Sequence, residues 1–82
     1  LPVPHLAGVE GKQGLRMSLR TKIRELRLRD RLSQEELAQR VGVRRETIGH
    51  LENGHYNPSL KLAMDIAHVF GCTVEDIFSF ED

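Results

Sequence analysis

Apolar residues recur every three or four positions along most of this chain, and near its C-terminal end the interval shortens to two. Leu19, Ile23 and Leu26 form the inner stripe of a first predicted helix, from about Leu19 to Arg29. Its bases Arg20, Lys22 and Arg24 face mostly outward. A second helix is predicted from Gln34 to Val41, with Leu37, Ala38 and Val41 inward. Ser33 stands as its N-cap, and Glu36 three residues on completes a capping box. Gly42 ends it, because glycine enters the left-handed region without a Cβ clash. A third helix, Arg45 to Asn53, turns Ile48 and Leu51 inward and leaves Arg45, Glu46, Gly49 and His50 outward. Asn53-Gly54 closes it. A fourth follows Pro58, with Ser59 as N-cap, Leu60, Ala63, Ile66, Ala67 and Phe70 inward, and Gly71 as its stop. Thr73 and Asp76 cap a short fifth helix that carries Val74 and Ile77. Phe78-Ser79-Phe80 alternates apolar and polar, as a short strand does.

The second and third helices, joined by a glycine turn, make a helix-turn-helix unit, whose second helix lies in the major groove of DNA. The outward side chains suit that task. Arginine matches O6 and N7 of guanine with two parallel hydrogen bonds, and glutamate accepts from N4 of cytosine. Thr47 can bond a phosphate or touch a thymine methyl, and His50 reaches a base edge or a backbone oxygen. The alternative for each is an ordinary solvated helix face.

In register, Ser33-Gln34, Glu36-Leu37-Ala38, Val41-Gly42-Val43, Thr47-Ile48, Leu51-Glu52-Asn53-Gly54 and Pro58-Ser59-Leu60 resemble the lambda-repressor-like (XRE/Cro-type) helix-turn-helix family. The likeness runs from about Leu19 to Phe78 and points to its small single-domain dimeric repressors. It implies an all-α, five-helix fold with a short C-terminal strand. It also implies base contacts from Arg44, Arg45, Glu46, Thr47 and His50. Phosphate contacts fall to Ser33 and Gln34 and to Asn53, His55 and Asn57 in the loop after the third helix. Tyr56 in that loop is either part of the grip or a lid on the core. Arg27 and Glu52 match a buried ion pair that joins the first helix to the third. Three positions depart from the pattern. Arg44 replaces the usual Ser or Thr N-cap, Glu46 stands where Gln is common, and Gly49 is a weak helix former.

Charge supports the same direction. The net charge is zero, yet ten Lys/Arg face five Asp/Glu between Arg16 and Ile48, and one Lys faces six acids from Gly49 to Asp82. Such a dipolar domain presents its basic end to phosphates. Residues 1–16, rich in Pro and Gly, read as a flexible tail, vector-derived or upstream readthrough, with a DNA-binding arm as the alternative. Residues 17–82 then form one helix-turn-helix domain. The single cysteine, Cys72, permits no disulfide within the chain and fits a reducing, cytoplasmic setting, with the protein gathered on the nucleoid. No motif for catalysis, metal or cofactor is present: HExxH, CxxC and a glycine-rich phosphate loop are all missing. His50 and His55 straddle the Asn-Gly break, so the sequence does not place them on one helix face.

The expected function is a sequence-specific transcriptional regulator, a homodimeric repressor on a palindromic operator in double-stranded DNA. The alternative is a protein-interaction module such as the antitoxin of a toxin–antitoxin pair. Neither membrane nor small-molecule ligand is implied. Ile77, Phe78 and Phe80 are expected at the dimer interface, with Phe78-Ser79-Phe80 pairing antiparallel to its symmetry mate and the recognition helices about 34 Å apart. The alternative leaves Ile77 and Phe78 in the monomer core and only Phe80 loose.

Overall fold

The computed structural model describes residues 18–81; the expectation for the N-terminal tail lies outside them. Strand β1 (Ser18–Thr21) is followed by helices α1 (Ile23–Arg29), α2 (Gln34–Val41), α3 (Arg45–Glu52), α4 (Leu60–Phe70) and α5 (Val74–Ile77), then strand β2 (Phe78–Glu81). The five helices enclose one aliphatic core in which Ile23, Leu37, Ile48, Leu51, Ile66 and Ile77 are fully buried. The expectation for helices two to five is realised to within a residue at most boundaries.

The caps explain those boundaries. Ser33 Oγ accepts from the Glu36 N–H at 3.0 Å, and the Ser33 N–H donates to Glu36 Oε1 at 2.8 Å. Thr73 and Asp76 repeat the reciprocal pair at 3.1 and 3.0 Å. Ser59 Oγ accepts from Leu62 N–H at 3.1 Å. Each cap supplies an acceptor to a first-turn N–H that the helix leaves free. Because Glu36 and Asp76 accept backbone N–H bonds, both carboxyls are held below their ordinary range.

The first turn of the predicted first helix is corrected. Ser18–Thr21 is a strand, and α1 starts only at Ile23. Leu19 continues the helical period of Ile23 and Leu26, but a partner strand at the far end of the chain takes its backbone. Strands β1 and β2 pair antiparallel, with Leu19 opposite Phe80 and Thr21 opposite Phe78, and the Lys22 N–H donates to Ile77 O at 2.9 Å to extend the tie. Phe78-Ser79-Phe80, expected to pair with a symmetry mate, has a strand partner within the chain along one edge; in this two-stranded sheet the other edge of β2 stays unpaired among the described residues.

Ile77 is 2 % exposed and does not belong to an interface. Burying such a side chain contributes about 1.5–3 kcal/mol, which the monomer core already collects. Phe78 packs partly against that core, while Phe80 remains 52 % exposed. Leu60 is corrected as well. It is 73 % exposed because the first residue of α4 projects past the edge of the core, and Leu62 is buried in the same turn.

Two residues show backbone conformations with consequences. Arg31, in the turn between α1 and α2, has φ 59° without being glycine. A Cβ in the left-handed region costs about 1–2 kcal/mol. Gly54 has φ +70°, and a Cβ built there would lie 2.5 Å from Leu19 O. Glycine at 54 thus serves both the α3 stop and the close passage of β1.

Arg31→Gly is expected to relieve strain and stabilise the fold by about 0.5–1 kcal/mol, read as a higher midpoint in urea unfolding followed by circular dichroism. A second outcome concerns acid. A carboxyl whose folded pKa is depressed contributes stability above its unfolded pKa and loses it as pH falls through the folded value. Glu36 and Asp76 should therefore cost the fold stability as pH drops below about 4, and a Glu36→Gln, Asp76→Asn variant should show a shallower decline in melting temperature over that window.

Candidate nucleic-acid interface

The interface is built from the ends of helices. In α2, the N–H groups of Gln34 and Glu35 occupy the first turn, where the helix provides no acceptor. Glu36 is engaged with Ser33, and Glu35 Oε2 accepts from Gln39 Nε2 at 3.0 Å, turning along the helix. The positive end of the α2 dipole adds to those free N–H groups. Ser33 is exposed, but its hydroxyl accepts the cap bond.

Helix α3 packs across α2 through Ile48 and Leu51, both fully buried. That seating fixes which face remains outside. Arg44, Arg45, Glu46 and His50 are exposed and Thr47 is half-buried. Arg44 takes the extended N-cap conformation, φ −83° and ψ 154°, and makes no side-chain cap bond. Its guanidinium is thus not consumed by the helix, in contrast to a Ser or Thr cap.

Beneath this face lies an ion pair. Arg27 Nε donates to Glu52 Oε2 at 2.7 Å and Nη2 to Oε1 at 3.3 Å; Nη1 donates to Leu32 O at 3.0 Å. The two side chains are 11 % and 7 % exposed. Gln34 Nε2 also donates to Glu52 Oε1, at 3.0 Å. Helices α1, α2 and α3 therefore meet at one carboxylate. Its hydrogen bonds and counter-charge offset the cost of removing it from water.

After α3 the chain turns back through the Gly54 N–H to Leu51 O bond, 3.0 Å, and the His55 N–H to His50 O bond, 2.9 Å. With Gly54 left-handed, this is the two-bond Schellman stop. It brings the His50 and His55 rings to 6.5 Å between centroids. As expected from the Asn-Gly break, the two histidines share no helix face, since His55 lies beyond the last turn of α3; the turn nevertheless places their rings side by side. Asn53-Gly54 itself was the available signal. Asn53, His55 and Asn57 are exposed in this loop, and Tyr56 is exposed too, not a core lid. Among the described residues, no group of three His, Cys, Asp or Glu is placed to hold a metal ion. None of the helices described is long and apolar enough to cross a membrane.

A family model described as helix-turn-helix matches residues 23–77. The chain belongs to the XRE-type helix-turn-helix family. An uncharacterized HTH-type transcriptional regulator of Archaeoglobus fulgidus is 61% identical over 64 residues, covering 78% of this chain and 90% of that protein. The HTH-type regulator YgzD of Bacillus subtilis is 44% identical over 64 residues, 78% of this chain and 97% of that protein. The cryptic phage CTXphi transcriptional repressor RstR of Vibrio cholerae is 34% identical over 59 residues, 72% of this chain and 53% of that protein. Among solved structures, the restriction-modification controller protein C.AhdI of Aeromonas hydrophila superposes with a TM-score of 0.62 at 34% identity, covering 67% of this chain and 83% of that one. The chain is thus a DNA-binding transcriptional regulator of the lambda-repressor-like fold.

The α1–α3 ion pair generates a stability test. Glu52→Ala leaves the Arg27 guanidinium buried without its counter-charge, and it is expected to cost about 3–5 kcal/mol. Chemical denaturation of parent and variant measures this; a midpoint shifted by less than about 1 kcal/mol would mean that water reaches the pair.

Proposed function

We propose that the protein is a repressor that binds a palindromic operator as a homodimer, inserting α3 of each subunit into successive major grooves. The observation that carries this reading is the exposed face of α3, where Arg44, Arg45, Glu46 and His50 stand clear while Ile48 and Leu51 are wholly buried. Arg45 and Glu46 read base edges, joined by Arg44, Thr47 and His50. Ser33 and Gln34 at the start of α2, where the Gln34 amide reaches Glu52, and Asn53, His55 and Asn57 in the loop after α3 hold phosphates.

The reading also needs two copies. An eight-residue helix is about 12 Å long and spans only a few base pairs, so a second recognition helix doubles the sequence read. The dimer face lies on the apolar side of the sheet and α4. Leu60 is 73 %, Met64 55 % and Phe80 52 % exposed, and Leu60 and Phe80 form part of the wall of a groove lined also by Leu19, Pro58, Ala63 and Phe78. Projecting side chains and a receiving groove on the same face suit a two-fold contact, in which each copy gives and receives. Phe78 and Phe80 keep their expected role; Leu60 and Met64 replace Ile77.

Selection of bound duplexes from a random pool tests the reading. The expected product is two inverted half-sites centred about one helical turn apart, with affinity falling steeply as salt rises. Arg45→Ala should relax one base position by about 1–3 kcal/mol, whereas Gln34→Ala or Asn53→Ala should weaken all duplexes alike. Recovery of unrelated sequences would contradict it. For the dimer, Leu60→Glu with Phe80→Glu changes only exposed side chains. Sedimentation should show a folded monomer with lost operator affinity, against a dimeric parent; a variant that stays dimeric would move the interface elsewhere.

A further inference from the structure

Gly49 is a poor helix former in the middle of α3, yet it makes no turn and has no left-handed φ. What lies over it is Gln34. A Cβ built on Gly49 would stand 3.8 Å from Gln34 Nε2, and the same nitrogen donates to Glu52 Oε1 at 3.0 Å. The Gln34 side chain therefore leaves α2, crosses the bare backbone of α3 at Gly49 and ends on the carboxylate that Arg27 anchors. A carboxylate only accepts, so the orientation of the amide is fixed: nitrogen toward Glu52, carbonyl away. The nitrogen keeps a second hydrogen.

Resting on the reading that Gln34 grips a phosphate, we propose that Gly49 is a positioning residue: it keeps a slot open across the recognition helix in which Glu52 holds the Gln34 amide ready for the DNA backbone. The slot has a size limit. One methyl group fits at ordinary contact distance, so alanine is admitted. A longer side chain occupies the space of the amide and separates it from Glu52. Pre-setting a donor in this way removes the cost of immobilising a long side chain at the moment of binding. It also couples phosphate contact on α2 to the seating of α3, because the amide reaches its anchor only when the two helices are docked. Gly49 touches neither the core nor a base in this arrangement; its effect passes through Gln34.

The test is a double-mutant cycle on the tightest duplex recovered by selection, with variants Gln34→Ala, Gly49→Leu and their combination, and Gly49→Ala as the control. Gln34→Ala and Gly49→Leu are each expected to weaken binding about tenfold per half-site, and the combination also by about tenfold. Gly49→Ala should bind within about twofold of the parent and melt higher. Independently of DNA, the side-chain amide resonances of Gln34 in isotope-labelled free protein should shift in Gly49→Leu and stay in place in Gly49→Ala. A combined loss near a hundredfold means that the leucine acts by clashing with DNA directly and overturns the slot. Unmoved Gln34 resonances in Gly49→Leu overturn it as well. If Gln34→Ala binds as tightly as the parent, the phosphate grip itself fails and takes the role of Gly49 with it.

Discussion

The Glu52 carboxylate, almost out of water at the base of the recognition helix, is the point on which the arrangement depends. It accepts from Arg27 on α1 and from Gln34 on α2 while belonging to α3. Aliphatic packing alone is non-directional; Ile48 and Leu51 would tolerate small rotations of α3 about its axis. The ion pair and its amide partner allow few. A buried pair is weak support for net stability, since two apolar residues of similar volume often do as well. Its contribution here is orientation, and orientation of α3 decides which side chains meet a base edge.

A second tie closes the domain. With β1 and β2 paired and Leu19 opposite Phe80, the two ends of the described chain are held together on the side that bears α5. The close pass of Leu19 O over Gly54 connects that sheet to the loop after α3. A chain this short buries only a modest fraction of its surface, about 60% at this size, and has little to spare. The apolar face that includes Leu60, Met64 and Phe80 is what one copy leaves uncovered.

Local chemistry was legible from the amino acids; distant pairing was not. Ser33 with Glu36, Thr73 with Asp76, and Gly42, Asn53-Gly54 and Gly71 each act within a few residues, so spacing alone announces them. The outward face of α3 followed from the two inward residues Ile48 and Leu51. Leu19 misled because its distance from Ile23 suits a helix, and only a strand at the other end of the chain overrides it. Leu60 misled for a related reason: periodicity gives a face, but not where the core stops. The neighbouring rings of His50 and His55 required the three-dimensional course of the turn. Gly49 looked like a flaw in a helix until the side chain lying over it was placed. Arg27 with Glu52 was named through family likeness, and neither composition nor period marks those two residues as partners.

The claim that α3 reads the major groove is tested most directly by chemical protection of the bound operator. Dimethyl sulfate methylates guanine at N7 in the major groove and adenine at N3 in the minor groove. The account predicts that the protein shields guanine N7 in two symmetric clusters about one helical turn apart on one face of the duplex, with adenine N3 left reactive. Shielding of adenine N3 with the guanines open, or a single cluster without a symmetric counterpart, would contradict it.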